Sequence, residues 1–372
     1  MARILALNWQ DLKHPAAGGA EVHLELILQR LVRRGHEVDL LCCNFPGGLP
    51  EEMVNGVRII RRGSRPFFNW IAPLAFRSLI KAEKYDIVFE DINKIPFYTP
   101  LYHRLPMLVI IPHLFSDSIF KEINAVLGAY IYLAERPFSL VYRNKPMMVI
   151  SESTAEEMCS RGISRELVHI VKCGIDHSVY FPAADVSKYE QPTFAYVGRI
   201  KRYKCIDTAI RALPLIRQSI PDARLLVVGT GDYLDELKSL AVRLKVEKHV
   251  EFTGFVSEEK KVEIMRRSHL LVYPSLKEGW GLTNIEANAC GTPVLASRVP
   301  GLRDSVDEGV SGLLFKQDDL GEFTEKATAV LGDSGLRATL EKGAVSHAAK
   351  FSWDKTAELC EQIMFKILGG RV

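Results

Sequence analysis

The sequence lacks two features that would place the protein outside a reducing compartment or inside a membrane. Its seven cysteines form no CxxC pair, so neither a disulfide framework nor a structural zinc site is indicated. No apolar run reaches the roughly 18 residues that a membrane-spanning helix needs, and the segment MLVIIPHLF is about half that length. We therefore expect a cytoplasmic protein.

An excess of charge of one sign is also missing. The chain has 48 Lys and Arg against 45 Asp and Glu, a net charge of +3, which by itself does not indicate a nucleic-acid partner. No Asp-x-Asp follows a strand-like run, and histidines and acids do not pair at metal-ligand spacing. We expect neither nucleic acid nor a catalytic metal or other cofactor.

What the sequence does contain is a repeated alternation of strand-like and helix-like segments. RILALNW is followed by EVHLELILQRLVRRG and then by EVDLLCC, a pattern that predicts an α/β fold with parallel sheets covered by helices on both faces. The alternation breaks near YFPAADVSKYEQP and restarts at TFAYVGRI. A length of 372 residues also suits two domains. We predict two Rossmann-like domains, residues 1–185 and 186–351, with their sheets facing across a cleft.

The loops that follow the predicted strands hold the candidate functional residues. Ligands of open α/β sheets bind at the carboxyl ends of the strands. The loops at such ends contain Gly18 and Gly19, His113, Arg199 to Lys204, Gly229 to Gly231, and the segment that begins at Glu278. We expect these loops to converge on the cleft.

The segment KEGWGLTNIEANACGTPVLAS, residues 277–297, places two acids on either side of a glycine-containing turn. HLLVYPS before it is strand-like and LTNIEANAC is helix-like, so the turn would present a helix N-terminus to a phosphate. Glu286, one turn inside the helix, could bind ribose hydroxyls, and Glu278 could lie at the other end of the same ligand. The alternative is a dipole-compensating Glu278 and a solvated Glu286.

EGWGLTNIEANACGTPV resembles the E-x7-E signature of the retaining GT-B glycosyltransferases, in particular family 4, with both acids, both glycines and the closing Gly-Thr-Pro. Other segments are similar to those of the family in the same order: HPAAGGAEVH, AYVGRIKRYKCIDTAIRA, LLVVGTGD, VEFTGFV and FSWDKTAE. The last resembles the segment that leads a final helix, here 352–372, back onto the first domain. Two departures are Cys173 in place of a usual Asn and Cys205 in place of a usual Gly.

The resemblance implies roles for particular residues. The catalytic set is Arg199 and Lys204 at the donor diphosphate, Glu278 near the far hydroxyls of the sugar, and His113 near the donor sugar. The donor-binding set is Gly18, Gly19, Gly198, Gly229, Gly231, Phe255, Gly279, Gly281, Leu282, Thr283 and Glu286.

Structural roles remain open for several of these residues. Arg199 could cap a sheet edge and Lys204 could be solvated. Gly18 and Gly19 could form a tight turn, and His113 could be a hydrogen-bonded structural residue.

The predicted function is the transfer of a sugar from a nucleoside-diphosphate sugar to a hydroxyl acceptor, with retention, in polysaccharide, glycolipid or glycoconjugate synthesis. No carboxylate stands out as the nucleophile that a double displacement requires, which favours a same-face route. The alternatives are a nucleotide-sugar epimerase or hydrolase on the same fold, and a non-catalytic nucleotide-sugar-binding protein.

The acceptor is expected to be a carbohydrate, a lipid-linked molecule or a small molecule bound by the first domain. Residues 58–84 are basic and include Phe67, Phe68 and Trp70, a composition that suits peripheral contact with an anionic membrane at its inner face. The alternative for this segment is an ordinary strand, loop and helix with solvated arginines.

Overall fold

The computed structural model describes residues 1–93, 95–112 and 125–370, with side chains from residue 128 onward in the helix that begins at Ala125. The chain divides into two units. Unit 1 comprises Met1–Gly174 together with Trp353–Val372, and unit 2 comprises Ile175–Ser352. The last helix is thus part of unit 1, and the chain passes from unit 1 to unit 2 before residue 185.

Unit 1 is built on a sheet of eight described strands in the order β3-β4-β2-β1-β5-β6-β7-β8. All neighbouring strands are parallel except the β3–β4 hairpin. The strands are β1 Arg3–Leu7, β2 Glu37–Asn44, β3 Glu51–Val54, β4 Val57–Ser64, β5 Ile87–Asp91, β6 Met107–Ile111, β7 Met147–Val149 and β8 Val168–Ile170. The helices are α1 Gly19–Arg33, α2 Phe68–Ala82, α3 Ala125–Glu135, α4 Phe138–Tyr142, α5 Glu152–Ser160 and the final helix α13 Trp353–Leu368.

The two faces of this sheet bury different side chains because neighbouring strand residues point to opposite faces. Leu5 and Leu7 of β1 pack into a cluster with the buried residues of α2, α4 and α5. Ile4 and Ala6 pack into a second cluster with α1 and α13. Helix α13 also forms two ion pairs, from Asp354 to Arg30 of α1 and from Glu361 to Arg34, the residue that follows α1.

Unit 2 is built on a parallel sheet of six described strands in the order β11-β10-β9-β12-β13-β14. The strands are β9 Thr193–Val197, β10 Arg224–Val228, β11 Val250–Gly254, β12 Leu270–Tyr273, β13 Val294–Ser297 and β14 Gly312–Phe315. The helices are α6 Ile206–Ser219, α7 Leu234–Arg243, α8 Glu258–Arg267, α9 Leu282–Ala289, α10 Leu302–Ser305, α11 Leu320–Gly332 and α12 Ser334–Ala348.

Several helices of unit 2 begin at a side chain that accepts a hydrogen bond from the first turn, which stabilises a helix start. Ser257 caps α8, Asp319 caps α11 and Asp333 caps α12. Helix α9 begins differently, after Gly281, which has no side chain with which to cap it. In the described part of the chain, no helix combines the length and apolar character required to span a bilayer.

Candidate functional site

The candidate site in unit 2 is assembled from loops that follow β9, β10 and β12. These three strands are neighbours in the sheet, so their carboxyl ends lie side by side, where ligands of such sheets bind. The Ile200 amide donates to the Thr230 carbonyl at 2.8 Å, and the Leu276 amide donates to the Tyr203 carbonyl at 2.9 Å. The loop after β9 is therefore hydrogen-bonded to both of its neighbours.

Gly229 and Gly231 allow two of these loops to approach each other closely. A Cβ atom at Gly229 would overlap the carbonyl oxygen of Gly198, and one at Gly231 would overlap that of Ile200. Gly198, Gly229 and Gly231 therefore lie at the predicted strand ends, and Gly229 and Gly231 also allow close packing of the two loops. Their predicted contact with a donor stays a prediction.

Lys204 and Glu278 form the central pair of the site. Lys204 follows β9, Glu278 follows β12, and their side chains form a hydrogen-bonded ion pair. Lys204 is only 6% exposed, and its ammonium lies 3.5 Å from the Tyr273 hydroxyl, to which it donates. The same ammonium lies 5.0 Å from the ring centre of Tyr203 and 5.2 Å from that of Tyr273. The sequence predicted both charged residues but not their pairing.

The pKa of Lys204 follows from this environment. Burial alone opposes the charged ammonium, but the carboxylate of Glu278 and then the neighbouring tyrosines outweigh burial and raise the pKa well above its usual value. Lys204 therefore remains a cation at neutral pH. A buried cation held at a strand end is suited to an anionic ligand, because a low-dielectric surrounding strengthens its attraction for negative charge.

Arg199 lies two residues after the end of β9 and is exposed. Its carbonyl accepts a hydrogen bond from the Tyr196 hydroxyl at 2.8 Å, which holds the backbone of the loop. The guanidinium forms no ion pair with any residue in the described ranges. Arg199 is thus available for a bidentate contact with a phosphate.

Helix α9 begins beside this pair. Gly281 has a φ of 85°, a left-handed conformation that glycine adopts without strain. A Cβ atom there would lie 2.9 Å from Leu302 and 3.0 Å from the side chain of Asn284. Gly279 belongs to the turn before the helix, and Leu282 and Thr283 are its first two residues. The turn thus directs a helix N-terminus, where anions bind favourably, to the strand ends.

Glu286 is held by a second lysine, Lys261 of α8. Their charged atoms lie 3.0 Å apart, and Lys261 also lies 3.0 Å from Glu258. The Tyr180 hydroxyl donates to Glu258. Burial of the Lys261 ammonium opposes its charge, but the carboxylates of Glu286 and Glu258 outweigh this and raise its pKa. Glu286 is therefore fixed in direction by a persistent cation.

The remaining predicted residues are Phe255 in unit 2, Gly18 and Gly19 in unit 1, and His113. Phe255 follows β11 and its ring is almost fully exposed. Gly18 and Gly19 are in unit 1, where the amide of Gly18 donates to Glu21 at 2.8 Å and Gly19 is the first residue of α1. His113 lies outside the described residues.

Part of the segment 58–84 is used within unit 1, so only some of its charges and aromatic rings are exposed for the predicted contact with a membrane, which stays a prediction. Phe68 is fully buried in the core. Arg61 is also buried and forms ion pairs with Asp11 and Glu52, so it is not a solvated cation. The exposed aromatic residues of the segment are Phe67 and Trp70.

Three residues of the site were missed by the sequence analysis: Tyr180, Lys261 and Tyr273. Lys261 lies in the charged run EEKKVEIMRR. The sequence does not distinguish it from the neighbouring Lys260, and only the fold shows that Lys261 is the lysine that contacts Glu286. Tyr273 is the last residue of β12, so the rule that ligands bind at strand ends could have indicated it. Among the described residues, no cluster of three or more His, Cys, Asp or Glu could hold a metal ion.

Comparison with known proteins gives matches over most of the chain. Residues 17–179 match the family described as Glycosyltransferase Family 4, and residues 182–347 match the family described as Glycosyl transferases group 1. A D-inositol 3-phosphate glycosyltransferase of Nocardia farcinica is 28% identical over an alignment 407 residues long, gaps included. The alignment covers 95% of this chain and 87% of the relative.

Solved structures share the fold at low identity. Sucrose-phosphate synthase from Thermosynechococcus elongatus superposes with a TM-score of 0.84 at 22% identity, and 100% of each chain is covered. HepE of Anabaena, solved in complex with UDP-glucose, has a TM-score of 0.76 at 19% identity and covers 98% of this chain and 100% of its own.

Fold and matches together define the class: an enzyme that is a glycosyltransferase of the GT-B fold. The chain belongs to glycosyltransferase family 4, which confirms the resemblance on which the sequence prediction rested.

Proposed function

We propose that the protein transfers a sugar from a nucleoside-diphosphate sugar to an acceptor hydroxyl, with retention of the anomeric configuration. The observation that carries this proposal is the buried Lys204 in the loop after β9, held as a cation by Glu278. Exposed Arg199 on the same loop supplies a second positive charge. Two cations beside a helix N-terminus are what a departing diphosphate requires.

In the proposed reaction the bond between the anomeric carbon and the phosphate oxygen breaks, and a bond to the acceptor oxygen forms on the same face. The acceptor proton passes to the departing phosphate oxygen, so no side chain needs to act as nucleophile. Glu278 is paired with Lys204, which argues against its use as a free nucleophile. Arg199, Lys204 and the amides of Gly281 to Thr283 would stabilise the negative charge that develops on the diphosphate. We propose no metal for this step.

The nucleoside would lie toward Glu286. A carboxylate in this position can accept hydrogen bonds from both ribose hydroxyls, and Lys261 fixes its direction from the other side. Phe255, exposed at the end of β11, is proposed as a surface for the base. HepE, a protein of the same fold, was solved with UDP-glucose, so that molecule is the first donor to test.

The acceptor is proposed to bind unit 1, in the region of Gly18 and Gly19, and His113 is proposed to approach the donor sugar. A polysaccharide, a glycolipid or a small metabolite would each supply the required hydroxyl. The relative from Nocardia farcinica is named for D-inositol 3-phosphate, which makes inositol phosphates reasonable first acceptors. Peripheral contact of residues 58–84 with a membrane is part of the proposal, as is a cytoplasmic location.

The deciding experiment measures release of nucleoside diphosphate from UDP-glucose and other nucleotide sugars, with and without an acceptor panel. We expect release that depends on the acceptor and is unaffected by EDTA. The anomeric proton coupling in the NMR spectrum of the product should match that of the donor. Release without any acceptor would indicate a hydrolase, an isomerised donor would indicate an epimerase, and an inverted product would reject the same-face route.

A further inference from the structure

Helix α2 buries one stripe of side chains and leaves an apolar stripe uncovered on the opposite side. Phe68, Ala72 and Phe76 recur every fourth residue and are fully buried, as expected for one face of a helix. Trp70 and Leu74 lie on the other face and are 75% and 67% exposed. Single exposed apolar residues are common, but neighbouring large ones indicate a surface with a partner.

The layer to which α2 belongs continues through two further segments. The ring of Phe76 lies 5.6 Å from that of Tyr102, which joins α2 to residues 98–106. The ring of Tyr98 lies 5.8 Å from that of Tyr142 in α4, and its hydroxyl donates to the carbonyl of Ala134 in α3. The three segments therefore lie side by side on one face of the unit 1 sheet.

Each of these segments also exposes large apolar side chains. Leu101 is exposed in residues 98–106, Leu133 in α3 and Leu140 in α4. Phe138 and Tyr142, two residues before and after Leu140, are fully buried, so Leu140 points away from the core. We name the exposed surface of residues 65–82, 98–106 and 128–146 the apolar–basic face.

The charge of this face is almost entirely positive. Residues 65–82, 98–106 and 128–146 contain seven cations, which are Arg65, Arg77, Lys81, Arg104, Arg136, Arg143 and Lys145, against a single acid, Glu135. Glu135 is buried, whereas all of the cations except the half-buried Lys145 are exposed. Since the whole chain is nearly balanced, at 48 basic and 45 acidic residues, the excess is local.

We infer that the apolar–basic face docks onto the surface of an anionic lipid bilayer. Leucine and tryptophan side chains can enter the interfacial region while arginine and lysine heads contact lipid phosphates. The excess of positive charge is complementary to an anionic surface, and its position among exposed leucine and tryptophan side chains is typical of segments that bind the membrane interface. The inference rests on the proposed membrane contact of residues 58–84 and deepens it by extending the contact from residues 65–82 to residues 98–106 and 128–146.

The test is co-sedimentation of the full chain with large vesicles, without donor or acceptor. One set of vesicles is phosphatidylcholine alone, and the other is an equimolar mixture of phosphatidylcholine and phosphatidylglycerol. We expect binding to the mixed vesicles, weakened by salt, and little binding to the neutral ones. Of the four tryptophans, Trp70 alone is exposed while Trp9, Trp280 and Trp353 are buried. A blue shift of tryptophan emission on binding therefore reports on α2.

Variants then test which segments take part. Trp70→Ser with Leu74→Ser, Arg77→Gln with Lys81→Gln, and Leu133→Ser with Arg136→Gln should each weaken binding to mixed vesicles about five-fold or more. The matched control is Val242→Ser with Arg243→Gln, an exposed apolar–basic pair on α7 of unit 2, which should bind as the unaltered chain does. Circular dichroism checks that each variant is folded.

Three results would overturn membrane docking by this face altogether. These are absence of binding to both kinds of vesicle, equal binding by the α2 variants and the control, and self-association in solution that is lost in Trp70→Ser with Leu74→Ser. If the two α2 variants bind mixed vesicles more weakly, as expected, but Leu133→Ser with Arg136→Gln binds them as the unaltered chain does, the contact is limited to residues 58–84. That result would reject the three-segment face. Sugar transfer to a soluble acceptor is measured separately, so failure of the transfer proposal is distinguishable.

Discussion

At the scale of single residues, the candidate site is centred on the ion pair between Lys204 and Glu278. Both are largely shielded from water, with side-chain exposures of 7% and 14%. A buried charge is tolerated because its partner compensates the loss of hydration. When a diphosphate binds, it would compete with Glu278 for the same ammonium, so the pair can hold Lys204 charged and oriented until the donor arrives.

We predict that Lys204→Met and Glu278→Gln each lower the free energy of unfolding by about 3 kcal/mol, because each leaves a buried charge without its partner. The double variant removes both charges and should regain at least half of that loss. Urea denaturation measures the stability of the three proteins. Turnover should fall by at least about a hundred-fold in Lys204→Met and stay low in the double variant, because the diphosphate has lost its cation.

Recovery of turnover together with stability in the double variant would contradict a role for Lys204 in chemistry and leave it a structural residue. Lys201→Met is the control for altering a lysine in the same loop. Lys201 is partly exposed and paired with Asp232, so this variant should change neither quantity much.

Lys261 is predicted to be a positioning residue that acts on the donor through Glu286. Lys261→Met removes the 3.0 Å contact to Glu286, and loss of a charge-assisted hydrogen bond should raise KM for the donor about ten-fold with a smaller change in kcat. Lys261→Arg should restore part of the affinity. The measurement is steady-state kinetics with the donor concentration varied.

The matched control for Lys261 is its neighbour in the sequence. Lys260 lies in the same helix but is more exposed and pairs with Glu263, so Lys260→Met should leave KM near its normal value. If the two methionine variants have the same KM, Glu286 does not depend on Lys261, and the position of the nucleoside must be sought elsewhere.

At the scale of helices and strands, α9 begins at a turn whose backbone conformation favours glycine, and the N-terminus of α9 is the proposed phosphate-binding end. Its first turn depends on the left-handed conformation of Gly281, which an alanine adopts at a cost of about 1–2 kcal/mol. Gly291, just after the same helix, has a φ of 81°, and a methyl group added to its Cα would meet no neighbour closer than 3.8 Å. The two glycines thus share a backbone conformation but differ in their surroundings.

We predict that Gly291→Ala costs about 1 kcal/mol of stability, from backbone strain alone. Gly281→Ala should cost about 1–2 kcal/mol more, because its methyl group would also press on Leu302 at 2.9 Å. Donor binding should weaken only in Gly281→Ala. Thermal unfolding and donor titration of both variants test this, and equal donor affinities would show that the helix start does not contact the donor.

The sequence predicted the order of strands and helices, the two sheets and the family. These were predictable because hydrophobic periodicity and the E-x7-E segment are both properties of residues that are close together in the sequence. The pairing of Lys261 with Glu286 was not, since it joins two helices through the packing of the sheet. The burial of Phe68 beside the exposure of Trp70 could have been anticipated from the helical repeat of Phe68, Ala72 and Phe76. The prediction for residues 58–84 used only their composition, so it did not distinguish the buried Phe68 from the exposed Trp70.

At the scale of the whole molecule, each unit has its own buried core. Helix α13 comes last in the chain but contributes Cys360, Ile363 and Met364 to the core of unit 1. Unit 2 buries its own residues, such as Met265 of α8. Because the chain divides into two compact units, we expect each unit to respond separately to a cavity.

Met364 and Met265 offer a reciprocal test of this expectation, since both are fully buried and the same substitution can be made in each unit. Replacement of a buried methionine by alanine costs about 3 kcal/mol, which for units of this size lowers a melting temperature by about 10 °C. We predict that Met364→Ala lowers the unfolding transition of unit 1 and that Met265→Ala lowers that of unit 2. Calorimetry measures both transitions, and a nucleotide that binds unit 2 should raise only the second. A single transition that both variants lower equally would mean that the units unfold as one, and the stability effects predicted above would then belong to the whole chain.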